Sequence, residues 1–391
     1  MLSRYVGCDP DRIRLEESMA ERVPNEVQIL TTLYKHPNIS RSDLSQKLQL
    51  NKSSISEYTN QLLDYEIIRE NGTGDSTTKG GRKPICLEIN YQYGLCLGID
   101  LAPHKITFAL CDLQLNIIDY GEQLVDVTKE NAMQYISKII DAQLALSKGY
   151  KGGLLGVAFS IHGIVDKKKI RFTPNYDIYK LDLFHAVSTQ YPSLPVHLLN
   201  ESNASALCEA YNSHVRNLVA VNVGSGLGAG IIIDGRLLQG VNGYAGEIGH
   251  AIIVPDGKPC NCGNEGCFEQ YCSEGAILSY YNSIARTPIT TITDLIHEYR
   301  QGNACAEQTI QRDLKYMALL MNHIMKTIAP EQIIINSDLA YHIAPYTQML
   351  TDMTTTTYKQ NIEIIPSVFH HRSVILGAVY LAIQEFLHAF V

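Results

Sequence analysis

Nothing in the chain approaches the run of about 18 apolar residues that a membrane span requires. The strongly apolar words, such as "LGAVYLAI" near the C-terminus, are far shorter. The opening "MLSRYVGCDPDRIRLEESMAERVP" lacks the apolar centre of a secretory leader, so the expected location is the cytoplasm, with no membrane partner. A surplus of positive charge is missing too: 32 Lys and Arg stand against 40 Asp and Glu, a formal net charge of −8. That balance argues against a whole-surface nucleic-acid binder. Any DNA contact must be local, or made by a dimer that concentrates a few basic groups. A disulfide framework is also absent. Cys8, Cys86, Cys96, Cys111, Cys208 and Cys305 are scattered, mostly in apolar strand-like text, and read as small buried hydrophobes in a reducing compartment. What is present is 45% apolar and 18% charged residues over 391 positions, a soluble globular composition long enough for two or three domains.

Residues 1–24 have mixed charge and weak helical character and are set apart as an N-terminal segment. From Asn25, "NEVQILTTLYKHP" places Val27, Leu30, Leu33 and Tyr34 on one helical face. A second helix begins after Ser40, with Asp43 at capping-box-like spacing and Leu44 and Leu48 on its apolar side. After the turn "QLN", Asn51 is a plausible cap for a third helix whose buried side is Ile55, Leu62 and Leu63. This is a helix-turn-helix pattern. The strand-like words "EIIRE" and "PICLEI" flank the Gly-rich "NGTGDSTTKGGRK", which reads as a wing. The module spans 25–90. Its candidate DNA contacts are Arg41, Lys52, Ser53, Ser54, Ser56 and Asn60, with Lys79, Arg82 and Lys83 at the wing, side chains suited to base edges and phosphates. From Arg41 to Pro84 seven Lys and Arg meet six Asp and Glu, so the module is nearly neutral inside an acidic protein. Glu57 on the same face would repel phosphate unless it reads a cytosine amine or turns away. The competing reading is a winged helix used only for protein contacts.

Beyond residue 91, "YGLCLGIDLAPHKITFALCDLQLNIIDYGEQ" reads as strand, turn, strand, turn, strand. Much the same opening recurs as "NLVAVNVGSGLGAGIIIDGRLLQG", which predicts a duplicated two-lobe α/β architecture with a cleft between the lobes. The glycines of "GSGLGAG" suit either a phosphate cradle or a tight hairpin. The helix expected over "IQRDLKYMALLMNHIMKTIA" has a broad apolar face suited to a core. The densest chemistry is "PCNCGNEGCFEQYC", where Cys260, Cys262 and Cys267 form a C-x-C-x4-C knuckle turned by Gly263 and Gly266. Three thiolates and one more ligand make a closed tetrahedral structural zinc set. His250 and Cys272 are the candidates for the fourth position. The text after Cys267 looks helical, and five residues along a helix turn a side chain by about 140°, which points Cys272 away. A reduced thiol cluster without metal is the bland alternative.

The words "LGIDLAPHKI", "SIHGIVD", "TPNYDIY", "NESNASALCEAY", "VNVGSGLGAGIIIDGRLLQGVNGYAGEIGH" and "CNCGNEGCFE" follow one another as in the ROK family of repressors, open reading frames and sugar kinases, which the chain resembles from about Asn25 onward. The winged module followed by "GGRKP" resembles the repressor branch, which includes xylose and N-acetylglucosamine repressors. The resemblance implies a fold of α/β class: a winged helix-turn-helix followed by a two-lobe actin-like (ribonuclease H-like) ROK domain over 91–391. Lobe 1 is expected over about 91–201 plus 372–391, and lobe 2 over about 202–371. It implies sugar ligands at Asn175, Asn200, Glu201, Glu247, His250 and Glu269, and His250 as the fourth zinc ligand beside Cys260, Cys262 and Cys267. A ring of hydroxyls suits such amides and carboxylates.

Three departures from the kinase pattern fall on the ATP side or the catalytic base. Ala102, Pro103 and His104 replace the small residues of a phosphate turn. Glu201 stands where kinases have Asp, moving the base by about an ångström. Asn336 and Ser337 replace a glycine pair. The expectation is a sugar-responsive repressor of carbohydrate utilisation with no catalytic residues. Its partners would be palindromic operator DNA, a sugar or sugar-phosphate effector, and its own copies in a homodimer or homotetramer. The alternatives are an active ATP-dependent ROK sugar kinase with an accessory DNA-binding domain, and a regulator that acts without ligand. Arg82→Ala is expected to weaken operator binding and to lower the slope of log affinity against log salt by about 1; an unaltered slope removes the wing from the DNA interface.

Overall fold

A computed structural model describes residues 24–73, 83–354 and 362–389. The chain falls into two compact units that divide near Tyr91, and the end of the C-terminal helix, from Glu385, belongs with the N-terminal unit. The sequence expectation had placed all of 372–391 in the first lobe.

In the N-terminal unit the three predicted helices run Asn25–Lys35, Arg41–Leu48 and Lys52–Asp64. Ser40 Oγ accepts the Asp43 amide and Asn51 Oδ1 accepts the Ser54 amide, so both caps act as predicted. Gln49, left-handed at φ 55°, closes the turn between the last two helices. Ile29, Leu30, Leu33, Leu44, Ile55 and Leu62 form the core, whereas the expected Leu63 is only half-buried. Strands β1 (Ile39–Ser40), β2 (Ile68–Thr73) and β3 (Ile85–Ile89) make a sheet in the order β1-β3-β2. Strand β2 starts two residues later than "EIIRE" suggests. Glu66 at φ 64° and the Ile67 amide bonded to Leu62 O terminate the preceding helix instead. Lys79 and Arg82 lie outside the described residues; Lys83 is exposed at the start of the returning segment.

The second unit carries two sheets of one design. Strands β4 (Leu95–Ala102), β5 (Lys105–Asp112) and β6 (Ile117–Leu124) form an antiparallel meander, and β7 (Leu154–Ile161) and β10 (Val196–Asn200) extend it in parallel on the β4 side. Between them β8 (Ile164–Asp166) and β9 (Lys169–Phe172) form a small hairpin. The pattern recurs: β11 (Leu218–Val223), β12 (Leu227–Ile233) and β13 (Arg236–Leu237) make the meander, and β14 (Gln332–Asn336) and β15 (Glu363–Pro366) add in parallel. The duplicated opening hairpin therefore marks a duplicated sheet. Each sheet has its own apolar core, one around Leu97, Ile99, Val157 and Phe159, the other around Val219, Ile231, Ile333 and Ile335. In the second, the helix Ala304–Thr327 buries Ile310, Leu314, Met317 and Met321, the core role its apolar face suggests. The terminal helix Ser373–Ala389 crosses the helix Glu201–Asn212 closely: a Cβ on Gly377 would stand 1.7 Å from Ala204 O.

Asp313 belongs to the second core. Tyr346 donates to its Oδ2 at 2.6 Å while Oδ1 finds no partner, and burial raises its pKa to about 7. In the unfolded chain an aspartate titrates near 3.9. Between those values the folded protein holds a proton that the unfolded chain has lost, so stability falls as pH rises from about 4 to about 7 and then levels. Asp313→Asn is therefore expected to stabilise the protein at pH 8 by roughly 1–3 kcal/mol and to change little at pH 4, as read by denaturant unfolding at both pH values.

Candidate functional site

A cavity of about 670 Å³ opens between the two sheets, and Asn175, Asn200, Glu201, Glu247, His250 and Glu269 all line it. Different elements deliver them. Asn175 lies in the turn after β9, which Tyr176 ties down by donating to Leu101 O at 2.6 Å and accepting the His162 amide. Glu201 opens its helix, and Glu247 and His250 flank a 3₁₀ turn, where residues three apart eclipse. The spacing brings His250 Nε2 within 3.9 Å of Glu247 Oε2. Glu269 starts a short helix and accepts the Leu227 amide at 3.1 Å, so the glycine hairpin 224–228 closes directly on it. A Cβ on Gly228 would meet Ser202 Oγ at 2.4 Å, a second reason for glycine in that hairpin.

Asn200 plays a different part from the rest. Its Oδ1 caps the helix by accepting the Ser202 and Asn203 amides, and its Nδ2 donates to Gly163 O at 2.9 Å and Glu201 Oε2 at 2.7 Å. With all four positions taken, Asn200 orients Glu201; a direct hydrogen bond to a ligand would require one of these bonds to break.

The carboxylates crowd one another. Burial, then the charges of Glu201 and Glu269, push Glu247 up to about 7, and burial also raises Glu201 against the pull of His162. His162 was not singled out from the sequence, although it stands in the quoted "SIHGIVD". Its Nε2 sits 3.2 Å from Asp100 Oδ1 on the cavity wall. Burial alone would lower its pKa, but the Asp100 carboxylate, its hydrogen bond and Glu201 together raise it to about 9. An imidazolium thus sits among acids, and only the folding of β4 beside β7 brings Asp100 and His162 together.

The predicted cysteine–histidine set also assembles. The donor atoms of His250, Cys260, Cys262 and Cys267 lie within 4.8 Å of one another. His250 Nδ1 is 3.5 Å from Cys260 Sγ, and Cys262 Sγ is 3.7 Å from Cys267 Sγ. With bonds of about 2.3 Å to sulfur and about 2.0–2.1 Å to nitrogen, the edges of a tetrahedral site come to about 3.5 Å (S···N) and about 3.8 Å (S···S). The residues therefore fit a closed tetrahedral ion. His250 serves both sets through different nitrogens, Nδ1 toward the thiols and Nε2 toward Glu247. Gly266, at φ 79° and with its Cβ position 1.7 Å from Val254 O, admits no side chain in the knuckle. Cys272 is fully buried in the core of the second sheet, pointing away as expected. The helix drawn through it is in fact two, Glu269–Cys272 and Glu274–Ile284, broken at Ser273, which caps the second.

On the opposite side, Asn336 Nδ2 donates to Asn222 Oδ1 and Ser373 Oγ, and Ser337 caps the helix Asp338–His342. Pro103 and His104 form the two-residue turn between β4 and β5. In the N-terminal unit, Lys52, Ser53, Ser56 and Asn60 are exposed along one helix, and Ser54 is half-buried. Arg41 is engaged within the unit: its guanidinium donates to Thr59 Oγ1 at 3.0 Å and Asn60 Oδ1 at 3.4 Å, and pairs with Glu70 at 3.5 Å. It braces the third helix against β2.

Comparisons with known proteins bear on both units. Residues 24–71 match the MarR family, and residues 96–385 match the ROK family. The chain is 32% identical to the xylose repressor of Bacillus subtilis over 374 residues, covering 93% of this chain and 96% of that one. A crystal structure of a ROK family transcriptional regulator, homologous to the Escherichia coli MLC protein, superposes with a TM-score of 0.78 at 25% identity, over 93% of this chain and 96% of the other. The ROK family glucokinase of Streptomyces griseus, solved with glucose and AMPPNP, shares the fold at a TM-score of 0.65 and 24% identity, over 74% of this chain and all of the glucokinase. With the family match spanning the second unit, the chain belongs to the ROK family.

Proposed function

We propose that this protein is a sugar-responsive transcriptional repressor that binds a palindromic operator as a homodimer or homotetramer and releases it when a sugar occupies the cleft. The observation that carries the reading is the convergence of three glutamates, Asn175 and His250 on one cavity, in a chain that also carries a winged helix with an exposed polar face. Several carboxylate and amide acceptors around a cavity of this size match the hydroxyls of a monosaccharide. Xylose is the first effector to test, because the B. subtilis relative is a xylose repressor. In each dimer the helices Lys52–Asp64 enter successive major grooves, Lys52, Ser53, Ser56 and Asn60 reach bases and phosphates, and Lys79, Arg82 and Lys83 contact the flanks. Sugar acts by binding one arrangement of the protein more tightly than the other.

Zinc at His250, Cys260, Cys262 and Cys267 would serve as a closed structural ion, since four protein ligands leave no position for water. The residues around it then do the work: His250 stands beside Glu247, and the turn from Cys267 sets Glu269 against the glycine hairpin. Phosphoryl transfer has little support on the other side. Asn336 and Ser337 are engaged in structural hydrogen bonds, and the longer Glu201 displaces the base by about an ångström, enough to cost on the order of a hundredfold in rate.

Glu247→Gln is expected to weaken xylose binding by at least about tenfold while leaving operator affinity unchanged; calorimetry and gel shift read the two effects, and equal sugar affinity would falsify the site. Cys260→Ser should release the metal and blunt induction, checked by elemental analysis beside an operator-release assay; full induction without metal contradicts the structural role. A coupled assay with ATP and a sugar panel tests the reading as a whole: turnover at kinase rates of about 1–100 per second replaces the repressor with a ROK sugar kinase.

A further inference from the structure

The geometry points to a second metal site, built from Asp338, His342 and His370, that takes a divalent first-row transition ion of the zinc–cobalt type. It shares no residue with the cysteine cluster and does not depend on the sugar reading. Asp338 and His342 stand four apart on the short helix Asp338–His342 and so share a face. His370 comes from the turn that precedes the terminal helix. The three donor atoms lie within 4.8 Å of one another. His370 Nε2 is 2.9 Å from Asp338 Oδ1, close to the separation of two adjacent ligands bonded at about 2.1 Å around an octahedral ion. Two imidazoles and one carboxylate suit zinc, cobalt or nickel better than magnesium or calcium, which favour all-oxygen shells.

Features outside the donor set hold it in place. His370 adopts a left-handed backbone, φ 49°, an uncommon conformation for a non-glycine residue. The Ser367 hydroxyl receives the His370 amide and itself donates to Glu209 Oε1. Tyr341 stacks on the His370 ring with centroids 4.0 Å apart, and His342 meets that ring edge-on at 5.5 Å. His371 also aims its Nε2 at Asp338 Oδ1, at 3.1 Å, but stands outside the three-donor cluster. His342 is exposed, so it can turn onto an ion without disturbing the core.

The position gives the ion a role. Asp338, one of the three donors, lines the cavity, so one edge of the cluster borders the cleft. The ion would clamp the end of β14 to the start of the helix Ser373–Ala389, whose far end belongs with the N-terminal unit. Metal occupancy would stiffen the first turn of that helix.

Cobalt titration of the full-length protein carrying a single zinc per chain, in the cysteine cluster, tests the proposal. Wild type is expected to take up about one further cobalt per chain, with weak visible bands and no thiolate charge-transfer absorption, because the ligands are nitrogen and oxygen. His342→Ala, at an exposed position, and His370→Asn, which keeps a residue tolerant of left-handed backbone, should each weaken that uptake by more than about tenfold with the circular dichroism spectrum unchanged. No uptake beyond the zinc-loaded cluster would mean that Asp338 only accepts hydrogen bonds from neighbouring histidines, and it would overturn the proposal. So would uptake of equal affinity in both variants, or charge-transfer bands showing that cobalt had entered the cysteine cluster instead.

Discussion

Asn200 ties the cleft together. It ends β10, caps the helix Glu201–Asn212, holds the Glu201 carboxylate and bonds the Gly163 carbonyl beyond β7, all through one amide. The capped helix in turn receives the glycine hairpin at Ser202 and the terminal helix at Ala204, contacts so close that only glycine fits opposite. Glu201 therefore sits at a point where both sheets and two helices converge. Replacing Asn200 would lose the cap, worth about 1 kcal/mol, and also free the carboxylate it orients.

The electrostatics of the cleft follow from that convergence. Burial raises Glu201 and Glu247, and each acid makes ionising the next harder. His162 relieves part of this load because Asp100 and Glu201 keep it charged. A neutral polyol can pair with such a mixture of carboxylates, amides and one imidazolium without adding charge.

Much of this was legible in the sequence where a local rule was at work. Ser40 and Asn51 announce their caps, Gly263 and Gly266 mark the knuckle turns, and the repeated hairpin words correspond to the repeated sheets. Six residues expected around a sugar do line one cavity. Local rules fell short where two local readings compete for the same few residues. Glu66 and Ile67 look like strand but end a helix. "FEQYCSEGAILSYY" reads as one helix because nothing in its periodicity reveals the break that Ser273 caps.

By itself the sequence determined the elements, their caps, the family and the residue types around the cleft, because each depends on spacing along the chain. Only the tertiary structure decided the roles. It joined Asp100 to His162 and Asp338 to His370. It also turned Asn200 into an orienting residue and divided His250 between thiols and a carboxylate. Those pairings run from adjacent residues to partners 62 apart, and the register of the sheets with the packing of helices on them sets which side chains meet, something no periodicity records.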